Sequence, residues 1–169
     1  METVFKEITP ENINDNVFGL IGTDWMLITA GTQDNFNTMT ANWGGLGYLW
    51  NKNVCFCFIR PPRYTYDFME KTDIFTLSFF EEKYRDILKF CGAKSGRDVN
   101  KINETGLVPV HSDSGAINFK QARLTLECKK VYFHDITPNN FLDSAIPAFY
   151  PKKDYHRMYI GEIMRCLAK

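Results

Sequence analysis

The sequence lacks the features that mark several common classes of protein. Its 20 Lys and Arg residues balance 20 Asp and Glu residues, so the chain has no global field to attract nucleic acid or anionic lipid. No apolar run approaches the ~20 residues that span a bilayer, and the charged start, residues 1–10, has no signal-peptide core. We therefore expect neither nucleic acid nor a membrane among its partners, and any anion site must be local.

The cysteines are odd in number and contain no CxxC pair. The five residues are Cys55, Cys57, Cys91, Cys128 and Cys166. They offer no disulfide framework, and no His or third Cys is spaced to complete a metal site with Cys55 and Cys57. We interpret them as buried thiols in a reducing compartment and expect a cytoplasmic location, the alternative being a redox or metal pair at Cys55 and Cys57.

Nucleotide fingerprints are also missing. Neither the Gly-rich dinucleotide pattern nor the P-loop pattern occurs, and no catalytic triad can be proposed from spacing. The chain is instead rich in aromatics, with 14 Phe, 8 Tyr and 3 Trp, which favour strands and large buried surfaces. The length suits one domain over residues 1–169.

The order of the apolar runs predicts a mainly β fold with helical insertions, either an antiparallel barrel or a sandwich. Strand patterns lie at residues 25–31, 37–42, 54–59 and 73–79, and within 119–133 and 155–167. Helices are expected at 65–71, with Thr65 as the cap, and at 84–91, with Gly92 as the stop. The continuous apolar run 54–59 predicts a strand buried on both faces.

Two segments have the composition of a ligand site. Residues 37–42 and the glycines after them would let a flat ligand approach the backbone, although an ordinary strand and Gly-rich turn fit equally. In residues 60–65, two Arg residues flank a Pro-Pro turn that leads into the start of a helix. Free backbone amides and the positive end of the helix dipole favour a phosphate at such a position, and the guanidinium groups add charge-assisted hydrogen bonds. The alternative is a solvated loop whose Arg residues pair with Asp67 or Glu70.

Two further segments carry charge or a histidine. Residues 94–101 place three cations around a Gly, which suits a loop wrapped around an oxyanion, the alternative being a loop and helix start with a surface ion pair. In residues 155–162, His156 is a candidate for contacting a ligand edge or relaying a proton, and a structural role is the alternative.

In order and spacing, the four segments resemble the flavin reductase-like family, the FMN-binding split barrels, and within it the flavoredoxin-like branch. The matching stretches are residues 37–45, 60–65, 95–101 and 159–163, and the similarity extends over about residues 25–167. The resemblance implies a six-stranded Greek-key split β-barrel. It also implies a homodimer with FMN near the subunit interface.

The resemblance assigns a role to each segment. The residues expected along the isoalloxazine ring and ribityl chain are Thr38, Met39, Thr40, Ala41 and Asn42. Those expected at the phosphate are Arg60, Arg63, Tyr64 and Thr65, and those expected near the cofactor are Lys94, Ser95, Gly96 and Arg97. Many family members have Ser where this chain has Asn42, whose amide still donates and accepts hydrogen bonds.

The resemblance implies an NAD(P)H-dependent flavin or FMN reductase, with NADH or NADPH as transient electron donor and the flavin as the group that carries hydride and electrons. Two alternatives stay open. One is a flavoredoxin-like electron carrier with a redox protein partner, and the other is a flavin-binding module without turnover. All three readings require residues 60–65 and 94–101 to form one pocket around a single phosphate.

Overall fold

The computed structural model describes residues 4–169. Its strands are β1 (Lys6–Ile8), β2 (Met26–Gly31), β3 (Phe36–Ala41), β4 (Gly44–Leu49), β5 (Lys52–Ile59), β6 (Ile74–Phe79), β7 (Pro109–His111), β8 (Ile117–Phe119), β9 (Leu124–Asp135) and β10 (Arg157–Ala168). Its α-helices are α1 (Val17–Gly22), α2 (Tyr64–Lys71), α3 (Arg85–Ala93) and α4 (Lys101–Thr105). Short 3-10 turns lie at Pro10–Asn12, Glu82–Tyr84, Pro138–Asn140 and Ile146–Phe149.

Within residues 4–169, the main sheet has eight antiparallel strands. Along it the order is β3-β2-β6-β9-β10-β5-β4, and β1 pairs with the end of β10. Strands β7 and β8 form a separate two-stranded sheet. The predicted mainly β class is therefore confirmed, but the sheet has more strands than the six expected.

Strand β4 is the glycine-rich segment that the sequence indicated as a turn. A Cβ on Gly44 would stand 2.6 Å from the carbonyl oxygen of Phe56 on the neighbouring strand β5. At Gly45 and Gly47 a Cβ would lie 3.7 and 3.5 Å from the Phe56 ring. The alternative of a Gly-rich turn is wrong, because the segment is a strand, and at Gly44 it lies too close to β5 for a side chain, which a local pattern does not reveal.

The core lies on both faces of β2. On one face, Ile28 belongs to a cluster that includes Leu20 of α1 and Met69 of α2. On the other face, Leu27 packs with Leu88 of α3 and with residues around β8. Burial on both faces makes β2 the strand that fixes the helices in place on the sheet, and its neighbour β3 carries the candidate site.

Strand β5 alternates rather than being buried on both faces as predicted. Cys55 and Cys57 are fully buried, whereas Phe56 and Phe58 are half-buried on the opposite face. All five cysteines are free and buried, as expected. Burial raises the pKa of the Cys57 thiol. Residues 4–169 contain no group of three side chains that could hold a metal ion.

Two helix ends differ from the predictions. Helix α2 begins at Tyr64 with Arg63 at its N-cap, so Thr65 lies inside the first turn and is not the cap. Helix α3 passes through the predicted stop at Gly92 and ends at Ala93. A Cβ on Gly92 would stand 3.3 Å from the Cβ of Thr40, so this glycine brings α3 close to β3 instead of ending the helix. In residues 4–169 no helix has the length and apolarity to cross a membrane.

Candidate functional site

A groove runs along strand β3 and is bordered by the start of α2 and the loop after α3. We call it the β3 groove. It consists of a wide cavity of about 570 Å³, a middle cavity of about 180 Å³ and an aromatic cavity of about 190 Å³. The wide and middle cavities share Asn37, Tyr64, Gly96 and Lys101. The middle and aromatic cavities share Met39 and Arg63.

Every residue that the sequence analysis placed in the site lines this groove. The wide cavity is lined by Thr38, Tyr64, Gly96 and Arg97; the middle cavity by Met39, Arg63, Tyr64, Thr65, Lys94, Ser95 and Gly96; and the aromatic cavity by Met39, Thr40, Ala41, Asn42, Arg60 and Arg63. Residues 60–65 and 94–101, which are far apart in sequence, thus meet at the middle cavity. Contact with a cofactor stays a prediction for each of them.

The middle cavity has the chemistry of an anion site. Within residues 4–169, the guanidinium of Arg63 makes no ion pair and no hydrogen bond, although the residue is half-buried. Burial, and secondarily the charge of Arg60, lower the pKa of Arg63. The ammonium of Lys94 is also without a partner in the described part of the chain. Two cationic residues, the half-buried Arg63 and the exposed Lys94, thus line one cavity, and in the described part of the chain neither pairs with a carboxylate.

Helix α2 begins at the same cavity. The N–H groups of Tyr64 and Thr65 lie in its first turn, where no carbonyl of the helix can accept from them, and the helix dipole adds positive potential there. The buried Thr65 hydroxyl accepts a hydrogen bond from Nδ2 of Asn37 over 2.8 Å. Within residues 4–169 its own hydrogen makes no hydrogen bond.

The loop after α3 lies directly against β3 and α2. A Cβ on Gly96 would overlap Oδ1 of Asn37 and would stand 3.1 Å from Cδ1 of Tyr64. Arg97 holds the loop in place, because its guanidinium pairs with Asp67 over 2.7 Å and lies 4.6 Å from the centre of the Tyr64 ring. Only a glycine fits at position 96 in this arrangement.

Lys101 is buried where the wide and middle cavities meet. Its Nζ donates to the carbonyl oxygens of Thr38 on β3 and Cys91 on α3, over 2.7 and 2.8 Å. Burial lowers the pKa of Lys101 to about 8, and Arg63 also acts to lower it. The ammonium joins the site strand to the helix behind it, and the groove's floor is therefore cationic.

The aromatic cavity is formed by Phe58, Trp43 and His156 around the end of β3. The centroid of the His156 ring lies 4.9 Å from that of Trp43, and its Nδ1 is 2.9 Å from the Tyr150 hydroxyl. Burial and the charge of Arg60 lower the pKa of His156 to about 4. The imidazole is therefore neutral near pH 7.

The alternative in which the Arg residues of 60–65 pair with Asp67 or Glu70 is wrong for the described residues. Arg60 pairs with Asp154 over 3.2 Å, and not with Asp67 or Glu70. Asp67 pairs with Arg97, and Glu70 pairs with an arginine at the start of β10. Arg63 alone of the two arginines flanking the Pro-Pro turn keeps its guanidinium unpaired within the described residues.

A family model of the flavin reductase like domain matches residues 18–169. The chain belongs to the flavin reductase-like family. The predicted family is thereby confirmed. The matched residues include those that line all three cavities of the β3 groove. No curated protein matches the chain significantly in sequence.

Solved structures share the flavin reductase-like fold at low sequence identity. A flavoredoxin from Methanosarcina acetivorans aligns with a TM-score of 0.69 at 20% identity, over 97% of this chain and 76% of that chain. An FMN-binding domain of a flavin reductases-like enzyme from Shewanella baltica gives 0.71 at 16% identity, over 99% and 78%. An NADH:FAD oxidoreductase from Streptomyces globisporus, in complex with NAD and FAD fragments, gives 0.65 at 16% identity, over 85% and 73%. The split-barrel fold is thus confirmed.

Several lining residues of this flavin reductase-like chain were absent from the predicted site. They are Asn37, Trp43, Phe58 and Lys101, whereas His156, which also lines the groove, was a candidate for contacting a ligand edge. Asn37 and Lys101 stand inside segments that were recognised, but their burial depends on packing between β3, α2 and α3. Phe58 was interpreted only as a core strand residue. That its side chain is half-buried can be recognised only from the pairing of β5 with β10.

Proposed function

We propose that this flavin reductase-like protein binds FMN in the β3 groove and acts as an NAD(P)H-dependent flavin or FMN reductase. The observation that carries the proposal is the unpaired, half-buried guanidinium of Arg63 where residues 60–65 and 94–101 meet. A partly buried cation without a counter-ion is unfavourable, because burial disfavours its charge. An anionic ligand in the middle cavity relieves this, and the phosphate of FMN is such a ligand.

The donors around the middle cavity suit a phosphate monoester. Arg63 and Lys94 supply charge, and Thr65, Ser95 and the first amides of α2 supply directional donors. Arg60 would contribute mainly through its field, because Asp154 already holds its guanidinium. This division of roles makes Arg63 the residue on which discrimination between FMN and unphosphorylated flavin depends.

The ring system would lie along β3 towards the aromatic cavity. Residues 38–42 offer backbone groups and short side chains, and Trp43, Phe58 and His156 offer flat surfaces at the far end. A bound flavin supplies the hydride and electron chemistry itself. The residues of the chain then need only bind it, orient it and set the polarity of its surroundings, with NADH or NADPH as the transient donor.

The aromatic face around β4 and β9 supports a homodimer in this proposal. Trp50 is 54% exposed and Tyr132 is 43% exposed, and their ring centroids lie 5.9 Å apart. Tyr48 is 69% exposed nearby in sequence. Exposed aromatics of this kind are enriched at protein interfaces. Sedimentation equilibrium at micromolar concentration tests the dimer, and a monomer under those conditions would contradict it.

The free, buried cysteines are consistent with the further proposal of a cytoplasmic protein. We also keep the proposal that residues 1–169 form one domain. Neither nucleic acid nor a membrane is proposed as a partner, since the chain is formally neutral overall.

The deciding experiment is a visible spectrum of the purified protein, followed by anaerobic titration with NADH and then NADPH. A flavin absorbance that bleaches with either nucleotide is the expected result. If the flavin is reduced only by a reduced redox protein, the protein is an electron carrier and not a reductase. Flavin that neither donor reduces would indicate a binding module, and no affinity for FMN on reconstitution would refute the proposal altogether.

A further inference from the structure

Residues 137–155, in the connection from β9 to β10, form a strap that packs against two residues of the aromatic cavity, with Phe149 beside Trp43 and Tyr150 beside His156. The strap holds Arg60 at two points, because the guanidinium pairs with Asp154 over 3.2 Å and donates to the carbonyl oxygen of Phe149 over 2.8 Å. The guanidinium carbon also lies 4.9 Å from the centre of the Tyr150 ring. The strap is thereby fixed to a residue of the groove itself.

Tyr150 links the strap to His156. The tyrosine is 5% exposed, and its hydroxyl lies 2.9 Å from Nδ1 of His156. In residues 4–169 this hydroxyl has no other hydrogen-bond partner. The Tyr150 ring also stacks on Phe141 with centroids 5.9 Å apart, so the position of the hydroxyl is well defined by packing.

The direction of this hydrogen bond follows from the lack of a second acceptor. If Nδ1 carried the proton and donated, the Tyr150 O–H would be buried without any acceptor, which is unfavourable. If the hydroxyl donates, Nδ1 accepts and both groups are satisfied. The proton of the neutral imidazole then resides on Nε2.

The surroundings of His156 keep the ring neutral. Burial disfavours a second proton and lowers the pKa of the ring, Arg60 and more weakly Arg63 act in the same direction, and Asp154 opposes them. Nε2 makes no hydrogen bond within the described residues, and the ring lines the aromatic cavity. Its N–H is therefore available to a ligand in the groove.

We propose that Tyr150 is a positioning residue that fixes His156 as the Nε2–H tautomer, so that the imidazole donates a hydrogen bond to a carbonyl oxygen of the bound isoalloxazine ring. This inference rests on the proposed flavin site, and it goes beyond that site by naming the donor at the ring edge and the strap residue that orients it. His156 then acts as a donor and does not relay protons.

The test uses the full chain labelled with ¹⁵N at histidine and long-range ¹H–¹⁵N spectra at pH 7, without ligand. The wild type should show His156, assigned through His156→Gln, as a single Nε2–H tautomer. Tyr150→Phe removes the hydroxyl but keeps the ring over Arg60, and it should give a mixture of tautomers. Tyr155→Phe is the matched control, because this neighbouring strap tyrosine has no hydrogen bond to His156. An Nδ1–H tautomer, an imidazolium or an unchanged Tyr150→Phe spectrum overturns the inference.

Ligand binding separates this inference from the proposed function. Tyr150→Phe should weaken FMN and riboflavin by the same factor, about 3- to 10-fold for one hydrogen bond, while Tyr155→Phe stays within about 2-fold. A change confined to the KM for NADH or NADPH overturns the assignment of the acceptor to the flavin. If the wild type shows the Nε2–H tautomer but binds no flavin, the proposed function fails and the role of Tyr150 in fixing the tautomer stands.

Discussion

Nδ2 of Asn37 donates a 2.8 Å hydrogen bond to Oγ1 of Thr65, and both residues are buried. This bond joins β3, the strand beneath the groove, to the first turn of α2. Oδ1 of Asn37 lies on its other side against Gly96. Asn37 therefore lies on β3 and contacts the other two segments that form the middle cavity, which are the start of α2 and the loop after α3.

Replacing Asn37 should loosen that junction. In Asn37→Ala the buried Thr65 hydroxyl loses its donor, and we expect the free energy of unfolding to fall by about 1–3 kcal/mol. Urea unfolding followed by tryptophan fluorescence measures this. Asn35→Ala changes an exposed asparagine of the same groove and should stay within about 0.5 kcal/mol. Equal effects of the two variants would contradict a special role for Asn37.

Gly96→Ala should damage the same junction by overpacking. The added Cβ would overlap Asn37 and crowd Tyr64, so the loop must shift, and we expect a loss of about 1–3 kcal/mol in stability. Gly19→Ala in α1 is the control, since among residues 4–169 no atom beyond the chain neighbours and backbone of that helix would come within 4 Å of the added Cβ. It should be neutral or stabilising by up to about 1 kcal/mol. A Gly96→Ala protein as stable as the wild type would mean that the loop does not pack as described.

Arg63→Ala tests the phosphate. We expect FMN to bind about 10- to 100-fold more weakly, because one charge-assisted hydrogen bond is lost, whereas riboflavin should change by less than about 2-fold. Fluorescence quenching of each flavin gives both dissociation constants. Lys89→Ala, which removes an exposed cation from α3, should affect neither ligand. Equal losses for FMN and riboflavin in Arg63→Ala would argue against a phosphate in the middle cavity.

Lys101 should make stability rise with pH. Its pKa of about 8 in the folded chain lies below its ordinary value of 10.5, so between these values the unfolded chain binds more protons at this residue. The free energy of unfolding then increases with pH in that window, by up to about 1.4 kcal/mol per unit. The Cys91 thiol, whose pKa burial raises from 9.0 to about 11, acts with the opposite sign above pH 9.

The free energy of unfolding should therefore be measured between pH 8 and 9. Urea midpoints of the wild type should rise across this interval more steeply than those of Lys101→Met, which cannot titrate at this position. Lys89→Met, at an exposed position on α3, should retain the wild-type slope. Parallel slopes for the wild type and Lys101→Met would show that the lysine titrates normally.

Local patterns were sufficient to predict most strands and the segments of the site. Alternation predicts one face for Ala122, Leu124, Leu126 and Cys128, and the last three do share one buried cluster, whereas Ala122 precedes β9 and packs in the other cluster. The Pro-Pro turn before α2 and the Gly-containing loop before α4 could be recognised because turn and helix-start preferences act over a few residues. Their order along the chain was enough to indicate the family.

Tertiary structure alone decided which charges are available and which glycines are needed for packing. Arg60 and Arg63 look equivalent in sequence, but Asp154, far along the chain, pairs with the first, whereas the second has no ion pair within residues 4–169. Gly44 and Gly92 resemble turn and stop signals, yet each permits a close approach by Phe56 or Thr40. Hydropathy and turn preference depend on neighbouring residues, whereas charge pairing and steric room depend on groups from distant parts of the chain that only folding brings together.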